Sequence, residues 1–294
     1  MIRFADWGMR RELAQIWQIC FEEPKRPAGY FLNNYFRPEN SLVYQIGGKT
    51  AAAVYLLPAS VVSRHGTAQA HYIYAAATLP QYRSRGFMAA LLAAAALVGA
   101  QRGDQYSVVL PATKELYPFY QKSEYQPFFQ ARMLTVPMEK LCTMAETGVI
   151  GKAALTVPLL NDLRREKLEH RVGSVLWSDE AFAFAVGMGG VYGDRLVTSL
   201  TGGRPAYALC RRLNEDTVAV LELMAEEATF PDLAANLIQQ MPAAQYQFRL
   251  STDSAFPAGE SETVPFGMIK PIGGAALDAV TPETGAPYLG LSLD

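Results

Sequence analysis

Two short stretches of this chain carry residue types whose spacing could do chemistry. The first is QYRSRGFMAALL, positions 81–92, where Arg83, Arg85 and Gly86 run straight into an alanine- and leucine-rich segment. Two guanidiniums beside a glycine at a helix start make a place for an anion. The first backbone N–H groups of a helix have no intrahelical partner, and the helix dipole adds positive potential there. Glycine lets a ligand approach the backbone with no Cβ in the way. Arg-x-x-Gly by itself is expected about once in a chain of this length, so its surroundings must supply its meaning. The second stretch is ELYPFYQKSEYQPF, positions 115–128, with Tyr117, Tyr120 and Tyr125. Aromatics at that spacing ordinarily pack.

The remaining reactive residues form no pattern. Cys20, Cys142 and Cys210 are far apart and odd in number, with no CxxC or Cys/His spacing. Neither a disulfide framework nor a metal site is predicted, and free thiols fit a reducing compartment. His65, His71 and His170 fall in no catalytic arrangement.

The elements around the first stretch give it a context. Leu13, Ile16, Trp17 and Phe21 predict an amphipathic helix between Trp7 and Glu23. LVYQIGGKTAAAVYLL reads as a hairpin turning at Gly47-Gly48, and a second strand pair turns near His65-Gly66 and ends in a strand over Tyr72–Thr78. A helix to about Ala100 follows the loop, Arg102-Gly103-Asp104 ends it, and YSVVLPA supplies the next strand. Strand, helix, strand at this distance is a βαβ unit whose strands pair in parallel. ARMLTVPM reads as a closing strand, giving a mixed α/β sheet domain over residues 1–137, with a connection over 138–153 and a second domain over 154–294. The second half repeats the order meander, strand, helix, strand without a residue-level repeat. Where the first half has Arg83 and Gly86, its matching stretch MAEEATFPDLAANL has Glu226, Glu227 and no glycine. Carboxylates there repel a phosphate, which predicts one anion site per chain.

Composition narrows the function classes. Of the 294 residues 50% are hydrophobic and 18% charged, and the net charge is -2, so no bulk attraction to nucleic acid is expected. The apolar run Phe87–Ala100 is too short to span a membrane, and the N-terminus lacks a secretory h-region. A cytoplasmic protein without a membrane or nucleic-acid partner is expected, with homo-oligomerisation left open.

LPQYRSRGFMAALL resembles the acetyl-CoA loop of the GNAT superfamily of N-acetyltransferases, Arg/Gln-x-x-Gly-x-Gly/Ala. Arg83, Gly86 and Met88 fall on its three defining positions, Met88 replacing a small residue. ELYPFYQKSEYQPF is similar to the family signature one βαβ unit later. Tyr120 falls on its tyrosine and Tyr125 on its turn aromatic, with Glu124 replacing a glycine. The two-halved chain is also similar to acetyltransferases of the enhanced-intracellular-survival type, in which a degenerate GNAT-like domain follows the first.

The resemblance implies a GNAT fold followed by a second GNAT-like domain, with acetyl-CoA as cofactor. Ala77, Thr78 and Leu79 would face the pantetheine and thioester, and the backbone of Ser84, Arg85, Gly86, Phe87 and Met88 beside Arg83 the pyrophosphate. It implies direct transfer of the acetyl group to a primary amine of a small molecule or peptide, with Tyr120 as general acid. By the same resemblance the terminal carboxylate of Asp294 becomes a candidate base, a capping strand end being the alternative. Tyr30, Phe31, Tyr35 and Phe36 could line an acceptor pocket, or be core, and Glu22 and Glu23 could attract a cation, or be surface. The competing function is a non-catalytic acyl-CoA-binding or sensing protein.

Overall fold

Alternating apolar residues over the first 78 positions build an antiparallel meander. Strands β1 (Ile2–Phe4), β2 (Ser41–Ile46), β3 (Lys49–Ser63) and β4 (Gly66–Thr78) pair in that order. The structure, a computed structural model, describes residues 1–151, 155–254 and 256–292. Helices α1 (Arg10–Phe21) and α2 (Lys25–Asn34) lie between β1 and β2 in sequence, and α1 packs on β3 and β4. Leu13, Ile16 and Trp17 form its buried stripe, at the helical repeat. Glu12 of α1 accepts hydrogen bonds from the Thr50 backbone N–H at 2.7 Å and the Thr50 hydroxyl at 2.8 Å, fixing the helix on β3.

Successive strand residues point to opposite faces. Tyr55 and Tyr74 therefore meet Trp17 and Phe31 on one side of the sheet, with Phe31 and Tyr55 ring centroids 4.7 Å apart. Val54, Leu56 and Ile73 meet Leu91, Leu92 and Ala95 of helix α3 (Phe87–Gln101) on the other. From α3 the chain enters β5 (Tyr106–Val109), which pairs in parallel with β4, and then α4 (Tyr117–Gln121) and β6 (Gln126–Pro127).

The next strand, β7 (Gln130–Pro137), does not close this sheet. It pairs with β12 and β13 of a second sheet, ordered β13-β7-β12-β11-β10-β9. That sheet is built from β9 (Arg195–Thr201), β10 (Arg204–Arg212), β11 (Thr217–Met224), β12 (Gln245–Leu250) and β13 (Ser261–Pro265). Helices α5 (Met138–Met144), α6 (Val157–Leu168), α7 (Asp179–Val191) and α8 (Phe230–Gln240) accompany it, with a two-residue strand β8 (Val175–Leu176) between α6 and α7. Phe230, Leu233, Ala234 and Leu237 give α8 a buried face at helical spacing, each large side chain contributing about 1.5–3 kcal/mol by leaving water. Strands β11 and β12 flank α8 in sequence and pair in parallel from Thr217–Gln245 to Val220–Phe248. This is the element order of the first sheet repeated.

Strand β14 (Met268–Pro271) then completes the first sheet, antiparallel between β5 and β6. The two compact units are therefore residues 1–128 with 267–280, and residues 129–266 with 281–292. The strand expected to close the first domain at residue 137 belongs to the second sheet, and a strand some 140 residues later takes that place. Both carry buried apolar residues, and a short apolar pattern alone does not say which sheet a strand joins. The expected connection over 138–153 contains α5, which packs on α8 of the second unit; residues 152 and 153 lie outside the described ones.

Candidate active site

In the first unit the parallel pairing of β4 with β5 ends early. It runs from Ala70–Tyr106 to Tyr72–Val108, while β4 continues to Thr78. The edge of β4 beyond Tyr72 is thereby released from β5. In the same stretch β4 carries one extra residue against β3: Tyr74 pairs with Tyr55 and Ala77 with Ala53, leaving Ala75 and Ala76 opposite Val54. Ala75 takes φ 44°, which turns the backbone out of the ladder. Bulge and splay together leave β4 main chain without a β5 partner where the side chains of 75–77 are alanines, which makes this stretch a candidate slot.

The expected backbone contributors are placed unequally around this slot. Ala77 is buried in the β3–β4 ladder and Thr78 is half-exposed at its end. The Leu79 N–H donates to Ala51 O at 3.0 Å and its carbonyl accepts from the Tyr82 N–H at 2.8 Å, so both of its backbone groups are engaged. Ala75 and Ala76, half-exposed at the bulge, are the residues that sequence reasoning missed. An alanine in the left-handed region leaves no composition signal.

Beyond the slot the chain makes one 3-10 turn, Pro80–Tyr82, and then the arginine-glycine loop. Ser84 at φ 62° and Gly86 at φ 78° are both left-handed, with Arg85 between them. Left-handed residues alternating along a turn point successive N–H groups into one concavity, an arrangement that holds anions. Gly86 is the N-cap of α3 and offers no capping side chain. The first ladder bond of the helix is Ala90 N–H to Gly86 O, so the N–H groups of Phe87, Met88 and Ala89 precede the ladder. Arg83, Ser84, Arg85 and Gly86 are exposed; Arg83 Nε donates to Thr78 O at 3.2 Å and the Arg85 guanidinium lies 5.7 Å from the Tyr82 ring centre. A Cβ on Gly86 would meet nothing within 4 Å. The main chain here is open to a ligand.

Met88, where the family pattern has a small residue, packs against the core cluster under α3. Phe87 stacks on Tyr44 with centroids 4.2 Å apart. Both side chains thus contact the interior, which absorbs the size of Met88.

Tyr120 comes from the short helix α4 and is 6% exposed in the cluster that contains Ile73 of β4 and Val109 of β5, at the start of the splay. Its ring meets Tyr125 edge-on at 5.7 Å. The Tyr125 hydroxyl is tied to Ser107 Oγ at 2.6 Å, whereas the Tyr120 hydroxyl makes no hydrogen bond to protein among the described residues. Burial pushes the Tyr120 hydroxyl from its ordinary 10.0 up to about 12, and moves Tyr55 and Tyr125 the same way. Tyr120 is therefore a phenol that keeps its proton at neutral pH. Glu124, the residue replacing the family glycine, adopts φ 67° and pairs with Lys270 Nζ of β14 at 2.8 Å.

These tyrosines predict an alkaline limit to stability. Their folded pKa values lie above the unfolded value of 10.0, so their contribution is complete below pH 10 and is lost as pH rises through the folded values. For Tyr120 alone the loss is about 2–3 kcal/mol by pH 12. The urea midpoint is expected to fall between pH 10 and 12, and less steeply in Tyr120→Phe.

The proposed acceptor side resolves into core. Phe31 and Phe36 are fully buried, Tyr35 is buried, and only Tyr30 is half-exposed. Glu22 is the exposed left-handed C-cap of α1, while Glu23 accepts from Trp17 Nε1 at 2.7 Å. Leu293 and Asp294 lie outside the described residues.

Residues 2–128 match the family model described as acetyltransferase (GNAT) domain. A probable N-acyltransferase from Enterococcus faecalis superposes with a TM-score of 0.72 at 15% identity, over 93% of this chain and 73% of that one. Eis1 from Mycobacterium abscessus gives 0.66 at 12% identity, over 92% and 73% of the two chains. A GCN5-related N-acetyltransferase from Kribbella flavida gives 0.70 at 14% identity, over 93% and 71%. No curated protein matches the sequence. At these identities the structural likeness is one of fold, and it extends over both units. Residues 2–128, the stretch matched by the acetyltransferase (GNAT) domain model, contain the open helix start and the buried tyrosine described above, and this first unit carries a GNAT acetyltransferase domain.

Proposed function

We propose that the first unit transfers an acetyl group from acetyl-CoA directly to a primary amine of a small molecule or peptide, with both substrates bound at once. One observation carries this reading: the buried Tyr120 packs where β4 and β5 part, and the open, left-handed loop at the start of α3 follows the end of β4 beyond that point. The N–H groups of Ser84–Met88 with Arg83 and Arg85 hold the pyrophosphate, and the β4 backbone from Ala75 to Thr78 aligns the pantetheine. Acetyl-CoA supplies the activated acyl group as a thioester. The amine attacks the thioester carbonyl, the carbon–sulfur bond breaks, and Tyr120 gives its proton to the departing sulfur. Backbone N–H groups at the bulge stabilise the charge that develops on the carbonyl oxygen.

Asp294 is assigned as the acceptor of the amine proton. Deleting Leu293 and Asp294 is expected to lower kcat at least tenfold and to shift the acid limb of the pH–rate profile. Unchanged turnover in the shortened chain rules out the assignment. The wider reading is tested by calorimetry with acetyl-CoA, followed by a thiol-release screen over amine acceptors. Absence of binding refutes it, and binding without turnover across the screen marks a sensor instead. No helix among the described residues is long and apolar enough to cross a membrane, and a cytoplasmic location is part of the same proposal.

A further inference from the structure

The second unit repeats the device that makes the slot in the first. Strand β11 has one extra residue against β10: Cys210 pairs with Val220 and Leu209 with Glu222, leaving Leu221 out of register. The parallel pairing of β11 with β12 ends at Val220, immediately before that bulge. The first unit leaves its corresponding main chain open. Here the position is filled from within. Arg249 of β12 donates from Nε to Leu221 O at 2.9 Å, closing the bulge carbonyl.

Directly beyond it Glu222 is fully buried. One of its carboxylate oxygens accepts from the Leu291 backbone N–H at 2.8 Å and from Arg164 Nε at 3.1 Å, the other from the Tyr207 hydroxyl at 2.7 Å. Arg164, equally buried, donates to Val175 O at 2.8 Å and Leu289 O at 3.3 Å. The bonding to residues 286–292 continues along the segment. Arg171 Nη2 donates to Ala286 O at 2.8 Å, Val175 N–H to Tyr288 O at 2.9 Å, Trp177 Nε1 to Leu291 O at 3.1 Å and Arg249 Nη2 to Ser292 Oγ at 3.4 Å. Leu289 and Leu291 are buried, and Gly290 at φ 64° passes so close that a Cβ would lie 2.4 Å from Tyr288 Cε1 and 2.7 Å from Glu222 Oε1.

We infer that the second unit is a peptide receptor whose occupant is the chain's own C-terminal segment, residues 286–292, bound at the splay that the first unit keeps open. The pattern is that of ligand recognition: backbone N–H and C=O groups are read by a buried charged pair, and a glycine is required where receptor and segment approach. It also leaves the second bulge without the open main chain that is proposed to align the pantetheine in the first unit. The second bulge is closed by an arginine and faced by a buried carboxylate.

The test uses the full chain with a protease site replacing the mostly exposed stretch 281–284, cut after folding. The released piece is expected to stay with the body through gel filtration at micromolar concentration. Gly290→Ala, which alters only the segment, is expected to speed its dissociation at least tenfold. Arg164→Met with Glu222→Leu should do the same in a body kept packed by apolar residues of similar size, with circular dichroism confirming the fold. Loss of the wild-type piece on the column overturns the inference, as does an unchanged dissociation rate in both variants.

Discussion

Tyr120→Phe is expected to lower kcat by about 10²–10⁴-fold, the range for removing a positioned general acid, while the Kd for acetyl-CoA stays within about threefold. The reason lies in where the hydroxyl sits. It is 6% exposed and makes no hydrogen bond to protein among the described residues, so removing its oxygen strands no partner and opens no large cavity. The ring keeps its edge-on contact with Tyr125. Because burial holds the hydroxyl near 12, the wild-type rate should show no alkaline fall caused by this group below pH 10. Equal losses in kcat and cofactor affinity would refute the acid role. So would a small loss in kcat at every pH when single-turnover measurements show chemistry to be rate-limiting.

Gly86→Asp separates binding from folding. Aspartate is among the few residues that tolerate the left-handed region, and it is a favoured N-cap with its charge at the positive end of the helix. At φ 78° and with open space around the Cβ, the substitution is expected to change stability by no more than about 1 kcal/mol. The same carboxylate stands where the pyrophosphate is proposed to bind. A like charge a few ångströms away at the surface costs about 3 kcal/mol, a loss of at least 100-fold in affinity. Calorimetry on a variant with an unchanged melting transition is the measurement. Wild-type affinity would place the cofactor elsewhere. Gly86→Ala, which adds strain without charge, is expected to bind more weakly by tenfold at most.

What the sequence disclosed followed the range of its signals. Local patterns were readable: the helix stripe at Leu13, Ile16 and Trp17, the turns at Gly47 and Gly66, and the loop at Arg83 to Gly86 placed just before a helix. Sheet membership was not. Gln130–Pro137 and Met268–Pro271 both carry buried apolar residues, but their partners lie across the chain, and pairing over such distances has no local code. The bulge at Ala75 was hidden because alanine rarely marks a left-handed turn. Aromatics such as Tyr30, Phe31, Tyr35 and Phe36 are most often core but could line a pocket, and for Phe31 it is packing against Tyr55 and Trp17 that distinguishes the two. Glu222 and Arg164 gave no signal at all, since a charged residue is ordinarily a surface residue until its partner is found.

The late arrival of β14 has a consequence for biosynthesis. Until Met268–Pro271 is made, β5 lacks the neighbour that lies between it and β6, and its outer edge stays unpaired. At roughly 5–20 residues per second, the nascent acetyltransferase sheet waits roughly 7–30 s between emergence of Phe128 and emergence of Pro271. During that interval an exposed strand edge can recruit the wrong partner. A ribosome-stalled chain ending at residue 137 should therefore be sensitive to protease and captured by chaperones, whereas one stalled well past Val280 should be protected. The unit that carries the acetyltransferase domain match is begun before the second unit and finished after most of it.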